Sequence, residues 1–527
     1  MAEQEYRIYG PPGTGKTTRV VREARRAAER FGADRVSICT LTNSAVREVA
    51  GRSGLPLPAE NVTTLHARCK RALGAGPPAE ELAHEFVLDN PRYASCFPKG
   101  ILRGKGGEDT NEVVLAGGQL SAYEQAGIHR QQMVPEAQWD RDALDWYRAW
   151  RGWCREHGTM DYTAWLEAAL ATDCLPQQDV VFVDEAQDHT PLQLAVIRHW
   201  RAKWLILVGD DDQSLYEWSG AIPREFFLPE LPGHEQVLAQ SFRVPRAVHH
   251  VADAWIQGLR ERRVKQYIPR DDAGYVRRTS FTLDDAKPSS GRLPPGLLEF
   301  DGTKMVLASC DYMLAHVRGA LITRGVPFHN PYRAQANLNP LRVLGKVIEA
   351  YLRGGWTMGD AARWLDCLTG EAAFQYGKKG SFIERCKAEP NARLDMEELR
   401  AVLKPDAYSL AIRQDLDIFN QAWRLKSTLN WQYALRVYRR PEAEWAPRIV
   451  LGTIHSVKGG EADHVWLWPD LSPAAVRDWQ AFGDGRIRRL FYVAMTRARC
   501  GLTLGEPGRS LSCGSLTSLV SSVTSRG

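Results

Sequence analysis

The sequence predicts an α/β fold with two parallel-sheet domains, each carrying a mainly helical insertion. Apolar runs typical of strands alternate with helical stretches over residues 1–69, and such runs return at 179–185 and 204–210, where both end in acids. Alternating strands and helices are typical of a parallel sheet covered by helices. Residues 70–174 instead show Trp, Tyr and Ala at helical spacing, and residues 336–445 read as helical and rich in Arg, Trp and Leu, which predicts the two insertions.

The first domain opens with four predicted elements in order. Residues 6–9 (YRIY) predict a strand, residues 17–31 a helix rich in Arg, Ala and Glu, residues 36–41 (VSICTL) a second strand, and residues 44–50 the start of a second helix. In a doubly wound sheet, ligands bind at the carboxyl ends of the strands. The acids that end the two later strands are therefore expected to lie at a ligand site.

The second domain is predicted from residues 304–309 as a strand, 319–328 as a helix followed by a turn, and 448–468 as two strands around a loop. A Gly-rich loop is expected near residues 100–118. The Ser-rich end of the chain is expected to form a short helix or a frayed end. The predicted domain ranges are 1–69 with 175–235 for the first domain, 70–174 for its insertion, 236–335 with 446–527 for the second domain, and 336–445 for a shortened second insertion.

Composition and charge narrow the class of protein. A chain of 527 residues with 44% apolar and 25% charged residues is too long for one core and too apolar to be disordered, so several soluble subdomains are expected. The ten cysteines contain no CxxC pair, and no apolar run approaches the roughly 20 residues of a membrane span. We therefore expect reduced thiols, a cytoplasmic location and no membrane partner. The net charge of +5 is small, but the Arg-rich stretches 22–30 and 486–499 permit a nucleic-acid partner.

A nucleotide site is predicted by GPPGTGKT at residues 10–17, which has the phosphate-loop pattern G-x-x-x-x-G-K-[ST] between a strand and a helix. Its glycines let backbone N–H groups face the phosphates, and the following helix adds its N-terminal dipole. Lys16 is expected to reach the outer phosphates and Thr17 to supply a hydroxyl to Mg²⁺. The loop residues predicted to bind the nucleotide are Gly10, Gly13, Thr14, Gly15, Lys16 and Thr17.

Partner acids are expected in VVFVDEAQD at residues 180–188. Asp184 is predicted to hold Mg²⁺ through water, and Glu185 to orient or deprotonate the attacking water, as hydrolytic phosphoryl transfer requires. A strand that ends in Asp-Glu is common by itself, so its pairing with a phosphate loop is what favours this interpretation. ATP and Mg²⁺ are therefore the expected cofactors.

The segment VGDDDQSLYEWSG at residues 208–220 combines two kinds of side chain. Its three acids and Gln213 suit the neighbourhood of a metal and phosphates, whereas Tyr216 and Trp218 suit a flat ligand. Because Asp184 and Glu185 are better candidates for metal and water, the run of acids is expected to be less central. One short loop is nevertheless expected to touch two different ligands.

Six motifs occur in order along the chain: GPPGTGKT, VDEAQD, GDDDQSLYEWSGA, QSFR, GTIHSVKGGE and RRLFYVAMTRAR. The series resembles that of the UvrD/Rep/PcrA family of superfamily 1 helicases, from residue 6 to about residue 504. The resemblance implies two RecA-like domains of the P-loop NTPase class that clamp ATP and step along single-stranded DNA, usually 3′ to 5′. It implies an ATP-dependent DNA helicase with single-stranded and tailed duplex DNA as partners, and replication or repair proteins as further candidates.

The resemblance also implies roles around the nucleotide. Gln213 is similar to the sensor of the γ-phosphate. Arg243 and Arg497 are similar to the two arginines that neutralise charge on the transferring phosphoryl group, a role worth about 10³–10⁵ in rate. Phe242 stands where the family usually places a tyrosine beside adenine, and Glu461 is similar to the acid on the nucleotide sugar. The full predicted catalytic set is Lys16, Glu185, Gln213, Arg243 and Arg497.

The implied DNA contacts are polar side chains near strand ends and two aromatics. TLTNSA (40–45), TTLH (63–66) and GTIHS (452–456) supply polar groups that would hold backbone phosphates without reading sequence. Tyr216 and Trp218 are similar to aromatics that stack on bases, which is worth about 1–3 kcal/mol per base. A capping or core role is the alternative for each residue. The full predicted DNA set is Thr42, Asn43, Thr64, His66, Tyr216, Trp218, Thr453 and His455.

Three departures from the family pattern are visible. Only nine residues precede Gly10, so the Gln-containing adenine motif expected upstream is missing and nucleotides other than ATP stay open as substrates. The acids that usually precede RRL are replaced by Gly485, Arg486 and Ile487. The second insertion is shorter than usual, so unwinding is expected to be weak or differently regulated.

Other functions stay open at this level. A nucleotide-gated clamp would hold single-stranded DNA for partner proteins, and a partner-dependent motor subunit would unwind weakly on its own. The complete set of catalytic residues argues against a pure clamp. A helicase–nuclease would need a separate nuclease subunit, because only about two dozen residues follow Leu504. RNA is open as an alternative track.

Overall fold

The structure is a computed structural model that describes residues 4–51, 55–97, 101, 120–172, 178–332, 340–422, 428–508, 511–514 and 516. Most of the predicted Gly-rich loop and of the Ser-rich tail lies outside these residues. The chain divides into two compact units. Unit 1 comprises Met1–Ser280, Leu307–Asp311 and Thr453–Gly527, and unit 2 comprises Phe281–Val306 and Tyr312–Gly452. The four domain ranges given above stay a prediction.

The described strands and helices follow the predicted alternation. The strands are β1 (Gln4–Tyr9), β2 (Val36–Thr40), β3 (Val62–Thr64), β4 (Val180–Val183), β5 (Trp204–Gly209), β6 (Glu235–Val237), β7 (Gln240–Pro245), β8 (Ile268–Arg270), β9 (Tyr275–Thr279), β10 (Lys304–Ala308), β11 (Phe328–His329), β12 (Ile449–Thr453), β13 (Ala462–Leu467) and β14 (Ala498–Gly505). The helices are α1 (Lys16–Phe31), α2 (Asn43–Ala50), α3 (Leu65–Leu73), α4 (Ala83–Asp89), α5 (Ala122–Gln131), α6 (Arg141–Glu156), α7 (Tyr162–Ala171), α8 (Pro191–His199), α9 (Arg224–Phe227), α10 (Arg246–Ile256), α11 (Ala315–Arg324), α12 (Pro340–Leu352), α13 (Met358–Leu365), α14 (Gly370–Ala373), α15 (Lys379–Ala388), α16 (Met396–Val402), α17 (Pro405–Ile412), α18 (Asp417–Ala422), α19 (Thr428–Tyr438), α20 (Pro473–Phe482) and α21 (Gly485–Met495).

The main sheet of unit 1 has the strand order β3-β2-β4-β5-β1-β6, and its strands pair in parallel. Every residue of β2 and β4 is buried. Strands of a parallel sheet are covered on both faces, which explains why these two read as continuous apolar runs rather than alternating ones. The carboxyl ends of β1, β4 and β5 carry the phosphate loop, the Asp184–Glu185 pair and the loop that begins at Asp210. The predicted α/β class with parallel sheets is confirmed.

Further strand pairs within each unit are also parallel. In unit 1, β14 pairs with β13 and β9, and β7 pairs with β8. In unit 2, β11 pairs with β12. The helix and turn predicted at 319–328 are α11 and its end at Gly325, whose φ of 61° is the left-handed conformation that favours glycine. From α12 to α19, the described residues of 340–438 form helices without a named strand.

The described part of residues 70–172 is helical and packs around tryptophans. Along α6, Trp146, Trp150 and Trp153 are buried, and consecutive indoles stack with centroids 5.8 Å apart. Their spacing of four and three residues puts them on one face of the helix, as the sequence predicted. None of the helices in the described part of the chain has the length and apolar content that a membrane span needs.

A buried ionic network lies beneath these tryptophans. Arg130 donates to both oxygens of Asp161 at 2.7 and 3.0 Å and to Glu167, and Trp150 Nε1 donates to Asp161 at 2.7 Å. Glu80 is buried beside this pair and accepts from the backbone N–H of Tyr162. Burial raises the pKa of Glu80 to about 8, and the charge of Asp161 acts in the same direction. Glu80 therefore carries its proton over a pH range in which an exposed glutamate has lost it.

The raised pKa predicts how stability changes with pH. Between the ordinary glutamate pKa of 4.5 and about 8, unfolding releases the proton of Glu80, so the free energy of unfolding falls as pH rises through this window. Glu80→Gln removes the proton but keeps an oxygen for the Tyr162 N–H. We expect its melting temperature to exceed that of the parent chain by at least about 2 °C at pH 8, and the difference to shrink toward pH 5. Thermal melts at several pH values measure this, with the exposed neighbour Glu81→Gln as control. Parallel pH profiles for Glu80→Gln and the parent chain would refute it.

Candidate nucleotide and nucleic-acid site

The phosphate loop connects β1 to α1 with the backbone that its glycines allow. Gly13 and Gly15 have φ of 75° and 79°, the left-handed region in which a Cβ is strained. A Cβ on Gly10 would lie 2.3 Å from Cγ of Lys16, so this close approach also requires glycine. Lys16 Nζ donates to the carbonyl of Gly10 at 2.7 Å, and Thr14 Oγ1 donates to the carbonyl of Pro11. The loop is thus folded around its own lysine, above the N-terminus of a helix of 16 residues.

The two predicted partner acids lie at the end of β4, next to this loop. Thr17 Oγ1 donates to Asp184 Oδ2 at 2.9 Å, which joins the first helix to the buried aspartate. Glu185 has a φ of 54°, an uncommon conformation for a residue with a side chain. Backbone strain of this kind costs about 1–3 kcal/mol and clusters at functional sites. The structure therefore places Lys16, Thr17, Asp184 and Glu185 together, as the motifs predicted.

Glu185 belongs to a network that the sequence did not predict. Gln187 Nε2 donates to Glu185 Oε2 at 2.5 Å and to Asp188 at 3.0 Å. Lys458 donates to the buried carboxylate of Asp188, and its Nζ lies 3.6 Å from Glu185 Oε2. Gln187, Asp188 and Lys458 all lie inside the motifs VDEAQD and GTIHSVKGGE. Their position inside two of the motifs is the sequence feature that could have identified these three residues as part of the site. The motif series assigned them no role.

The protonation of the acid pair follows from burial and from the nearby lysines. Burial raises the pKa of Asp184, and the charge of Glu185 adds to this. Burial acts in the same direction on Glu185, but the charges of Lys458 and Lys16 outweigh it and lower the pKa of Glu185 below its usual range. Glu185 is therefore anionic at neutral pH, the state that a proton acceptor needs.

Gln213 is held between the first sheet and the end of α21. Its Nε2 donates to Asp210 Oδ2 at 2.7 Å, and its Oε1 accepts from Arg497 Nη2 at 3.1 Å. Arg497 is buried and also donates to the carbonyls of Val493 and Gly460. Burial lowers the pKa of Arg497 to about 9, with the like charge of Arg243 contributing. Arg497 therefore keeps its charge at neutral pH, and each of its three guanidinium nitrogens donates a hydrogen bond.

The run of three acids has a structural partner in Lys265. Its Nζ lies 2.9 Å from Asp210, 2.6 Å from Asp211 and 2.9 Å from Asp212, and all four side chains are buried. Arg262 adds a two-pronged contact to Asp212 at 2.8 and 2.6 Å. Removing one partner from such a buried cluster leaves an uncompensated charge. These carboxylates therefore anchor the loop that carries Gln213. This structural role agrees with the expectation that Asp184 and Glu185, rather than the three acids, serve the metal and the water.

Arg243, Phe242 and Glu461 lie beside the phosphate loop. The backbone N–H of Phe242 donates to the carbonyl of Gly13 at 2.8 Å, and a Cβ on Gly13 would lie 2.5 Å from Cβ of Arg243. Glu461 accepts from Arg243 Nε at 2.7 Å and from Arg499 at 3.2 Å. The Phe242 ring is 71% exposed, an unusual placement for an apolar ring next to a phosphate loop. An exposed ring at this point is available to stack on a nucleotide base.

The three threonines predicted to contact DNA accept local hydrogen bonds from backbone N–H groups. Thr42 and Thr64 are the N-caps of α2 and α3, where their hydroxyls accept from Ala45 and Ala67 at 3.2 and 3.3 Å. Thr453 accepts from the backbone N–H of Ser456 at 3.3 Å. Local hydrogen bonding, which is N-capping for Thr42 and Thr64, accounts for the presence of these threonines. It also fixes their position at the ends of β2, β3 and β12, and Asn43 beside them is exposed.

The two predicted histidines are held neutral. Burial lowers the pKa of His66 to about 4, and its ring lies edge-on to Tyr162 with centroids 6.0 Å apart. Burial and the charge of Lys458 lower the pKa of His455 to about 4, and its Nδ1 has no hydrogen-bond partner among the described residues. A neutral imidazole can still donate one hydrogen bond to a phosphate oxygen. It adds no charge to such a contact.

Tyr216 and Trp218 lie side by side on the loop that follows Gln213. Their ring centroids are 6.1 Å apart, and both residues are half-buried. Lys458 Nζ lies 5.2 Å from the centroid of Tyr216, so the cation that contacts Glu185 also contacts the first aromatic. The indole Nε1 of Trp218 has no hydrogen-bond partner among the described residues. The loop therefore offers partly open aromatic surface, and its first ring is linked to Glu185 through Lys458.

The residues of this site fit a nucleoside triphosphate with a divalent cation. The cradle at Gly10 and Gly13 leaves no room for a Cβ, which is the backbone approach that phosphates require. The hydroxyl of Thr17 and the carboxylate of Asp184 are oxygen donors of the kind that Mg²⁺ prefers. Arg497 supplies positive charge near Glu185, and Arg243 lies near Arg497.

Comparison with known proteins gives matches that agree with this geometry. Residues 1–229 match the family described as the UvrD/REP helicase N-terminal domain. F-box DNA helicase 1 of Gallus gallus is 30% identical over 135 residues, which are 23% of this chain and 13% of that protein. DNA helicase II of Escherichia coli (strain K12) is 38% identical over 82 residues, 15% of this chain and 11% of that protein. The ATP-dependent DNA helicase PcrA of Leuconostoc citreum is 25% identical over 265 residues, 46% of this chain and 35% of that protein.

Proposed function

We propose that this chain is an ATP-dependent DNA helicase that moves 3′ to 5′ along single-stranded DNA. The proposal starts from the match of residues 1–229 to the UvrD/REP helicase N-terminal domain. Over those residues the resemblance seen in the motif series is confirmed. The observation that carries the proposal is the loop at 210–220. Gln213 bonds to Arg497 on the nucleotide side, and Tyr216 and Trp218 follow it by three and five residues.

In this proposal the phosphate loop binds the nucleotide and the acid pair prepares it for hydrolysis. Lys16 turns from the Gly10 carbonyl to the outer phosphates, while Thr17 and Asp184 hold Mg²⁺. The bound cation supplies charge neutralisation for the β- and γ-phosphates. Phe242 stacks on the base, and Glu461 faces the sugar.

Glu185 then acts as the base for the attacking water. It accepts a proton while the water oxygen attacks the γ-phosphorus and the bond to the β–γ bridging oxygen breaks, which releases ADP and phosphate. Arg243 and Arg497 neutralise the charge that spreads over the γ-phosphoryl oxygens. Gln213 accepts from Arg497 in the structure, so a change at the γ-phosphate alters a contact of the loop directly.

DNA is proposed to lie across the carboxyl ends of the strands. Its backbone would be held by Thr42, Asn43, Thr64, His66, Thr453 and His455, and its bases by Tyr216 and Trp218. The tracks proposed are single-stranded and tailed duplex DNA, with replication or repair proteins as candidate partners.

Trp218→Ala tests the base-stacking part of the proposal. Loss of one stacked base costs about 1–3 kcal/mol, so we expect the affinity for single-stranded DNA to fall about 5–150-fold. Stimulation of hydrolysis should fall with it, whereas nucleotide affinity should stay within about twofold, because the ring neighbour of Trp218 is Tyr216 on the loop that follows Gln213. Fluorescence anisotropy with a labelled oligonucleotide and with a labelled nucleotide measures both. Tyr376→Ala, an exposed aromatic of unit 2, is the control. Loss of nucleotide binding in Trp218→Ala would make Trp218 a core residue.

Strand displacement tests the function as a whole. The proposal expects ATP-dependent displacement from a duplex with a 3′ single-stranded DNA tail, and little from a 5′ tail or an RNA tail. Hydrolysis without displacement on any tailed duplex would favour the nucleotide-gated clamp or a partner-dependent motor subunit. Equal displacement from RNA tails would show that the chain moves along single-stranded nucleic acid in general and does not require DNA.

A further inference from the structure

Glu217 lies between the two aromatics proposed to stack on DNA, and helix α21 holds its carboxylate. Arg489 Nη1 donates to Glu217 Oε1 at 2.9 Å, and Arg486 Nε lies 3.6 Å from Glu217 Oε2. Arg489 is buried, and the side chain of Glu217 is 18% exposed. A sheltered pair of this kind is screened far less than one on the surface. The motif series gave no role to either residue.

A second donor of Arg489 reaches the start of the same loop, and a third reaches the residue Glu261 outside it. Its Nε donates to the carbonyl of Asp211 at 2.9 Å, and its Nη2 donates to the carbonyl of Glu261 at 3.0 Å. Asp211 precedes Gln213 by two residues and Glu217 follows it by four. The guanidinium of Arg489 therefore contacts the chain on both sides of Gln213, the proposed γ-phosphate sensor.

The same helix leads to the arginine that holds the sensor itself. Eight residues after Arg489, Arg497 donates to Gln213 Oε1. The loop is thus attached to α21 and its continuation at three points: Asp211, Gln213 and Glu217. Of these three attachments, the one at Glu217 lies on the aromatic side of the loop. Without it, Arg489 would still hold Asp211 and Arg497 would still hold Gln213, but α21 would lose this contact with the segment that carries Tyr216 and Trp218.

We propose that the Glu217–Arg489 ion pair is a positioning contact that makes Tyr216 and Trp218 follow α21 when the nucleotide changes. This deepens the proposed function and rests on it. Arg486 is the second cation on Glu217 and also pairs with Asp478. It stands among the residues that replace the usual acids before RRL, so this departure from the family pattern supplies charge to the same contact.

The first experiment follows Trp218 itself and needs no DNA. The change in tryptophan fluorescence on adding a non-hydrolysable ATP analogue is measured in the full chain and in Trp218→Phe, and their difference is the Trp218 signal. The same pair is then made with Glu217→Gln, which keeps an oxygen acceptor for Arg489 but removes the charge. We expect the Trp218 signal to fall about fivefold or more in Glu217→Gln, with the analogue binding at the same concentration. A Trp218 signal that is unchanged by Glu217→Gln, or that is missing in the parent chain, would overturn the proposal.

The second experiment compares hydrolysis at saturating single-stranded DNA with hydrolysis in its absence. The ratio of the two rates should fall about fivefold or more in Glu217→Gln, while the DNA concentration for half-stimulation stays within about threefold. A merely structural role would lower both rates together and leave the ratio intact, which would overturn the proposal. Glu156→Gln, an exposed glutamate of α6, is the matched control. A parent chain whose hydrolysis ignores DNA would count against the proposed function, whereas the fluorescence experiment would still decide the ion pair.

Discussion

Glu185→Gln is expected to lower hydrolysis by at least about 100-fold while the chain still binds nucleotide, because positioned general bases contribute about 10²–10⁴ in rate. The carboxylate lies in hydrogen-bond contact with Gln187 and 3.6 Å from Lys458, and its neighbours keep it anionic. The amide has nearly the same shape and can still accept from Gln187. It cannot take a proton from water. Phosphate release under saturating ATP and DNA, together with binding of a labelled nucleotide, measures the two properties separately.

The control for Glu185→Gln is Glu156→Gln, which changes the same functional group on an exposed helix face. Its hydrolysis should equal that of the parent chain. Hydrolysis by Glu185→Gln within about threefold of the parent would contradict the role of base, since that is far below the contribution expected of one.

Arg497→Lys is expected to lower the rate of hydrolysis by about 100-fold or more. Arginines that contact the transferring phosphoryl group raise the rate by about 10³–10⁵, and a lysine supplies only part of that rate increase. Arg497 donates at once to Gln213 and to the carbonyls of Gly460 and Val493. A lysine keeps the charge but not the planar fork that makes these contacts together. Nucleotide affinity should change by only a few-fold, because Lys16 and the phosphate loop stay intact.

Arg155→Lys, on the exposed face of α6, is the matched control for this substitution. Single-turnover hydrolysis with preformed enzyme–nucleotide complex measures the chemical step, and a thermal melt checks that the buried site tolerates lysine. A folded Arg497→Lys chain that hydrolyses ATP at the parent rate would show that Arg497 only holds the loop in place.

Local sequence patterns predicted the elements that carry the site, because each depends on a short stretch of chain. The apolar runs gave β1, β2, β4 and β5, since strands buried on both faces need no alternation. The phosphate loop could be recognised in the sequence because its glycines, lysine and threonine have to lie at fixed positions in one short stretch of chain.

The contacts that complete the site were not predictable in this way. Lys265 neutralises three acids that lie more than fifty residues earlier, Lys458 reaches Asp188 across 270 residues, and Arg489 reaches Glu217 across 272. Local periodicity carries no information on such pairings, which depend on how the elements pack. The capping contacts of Thr42 and Thr64 were likewise open, since a threonine before a helix suits a cap and a phosphate equally well.

In the proposed function one loop joins the nucleotide site to single-stranded DNA, so steady-state hydrolysis should depend on DNA. We expect saturating single-stranded DNA to raise the rate about 5–150-fold, the range of a typical coupling between two sites. A rate that is the same with and without a DNA oligonucleotide, in a chain that binds both ligands, would show that the loop does not couple the two sites.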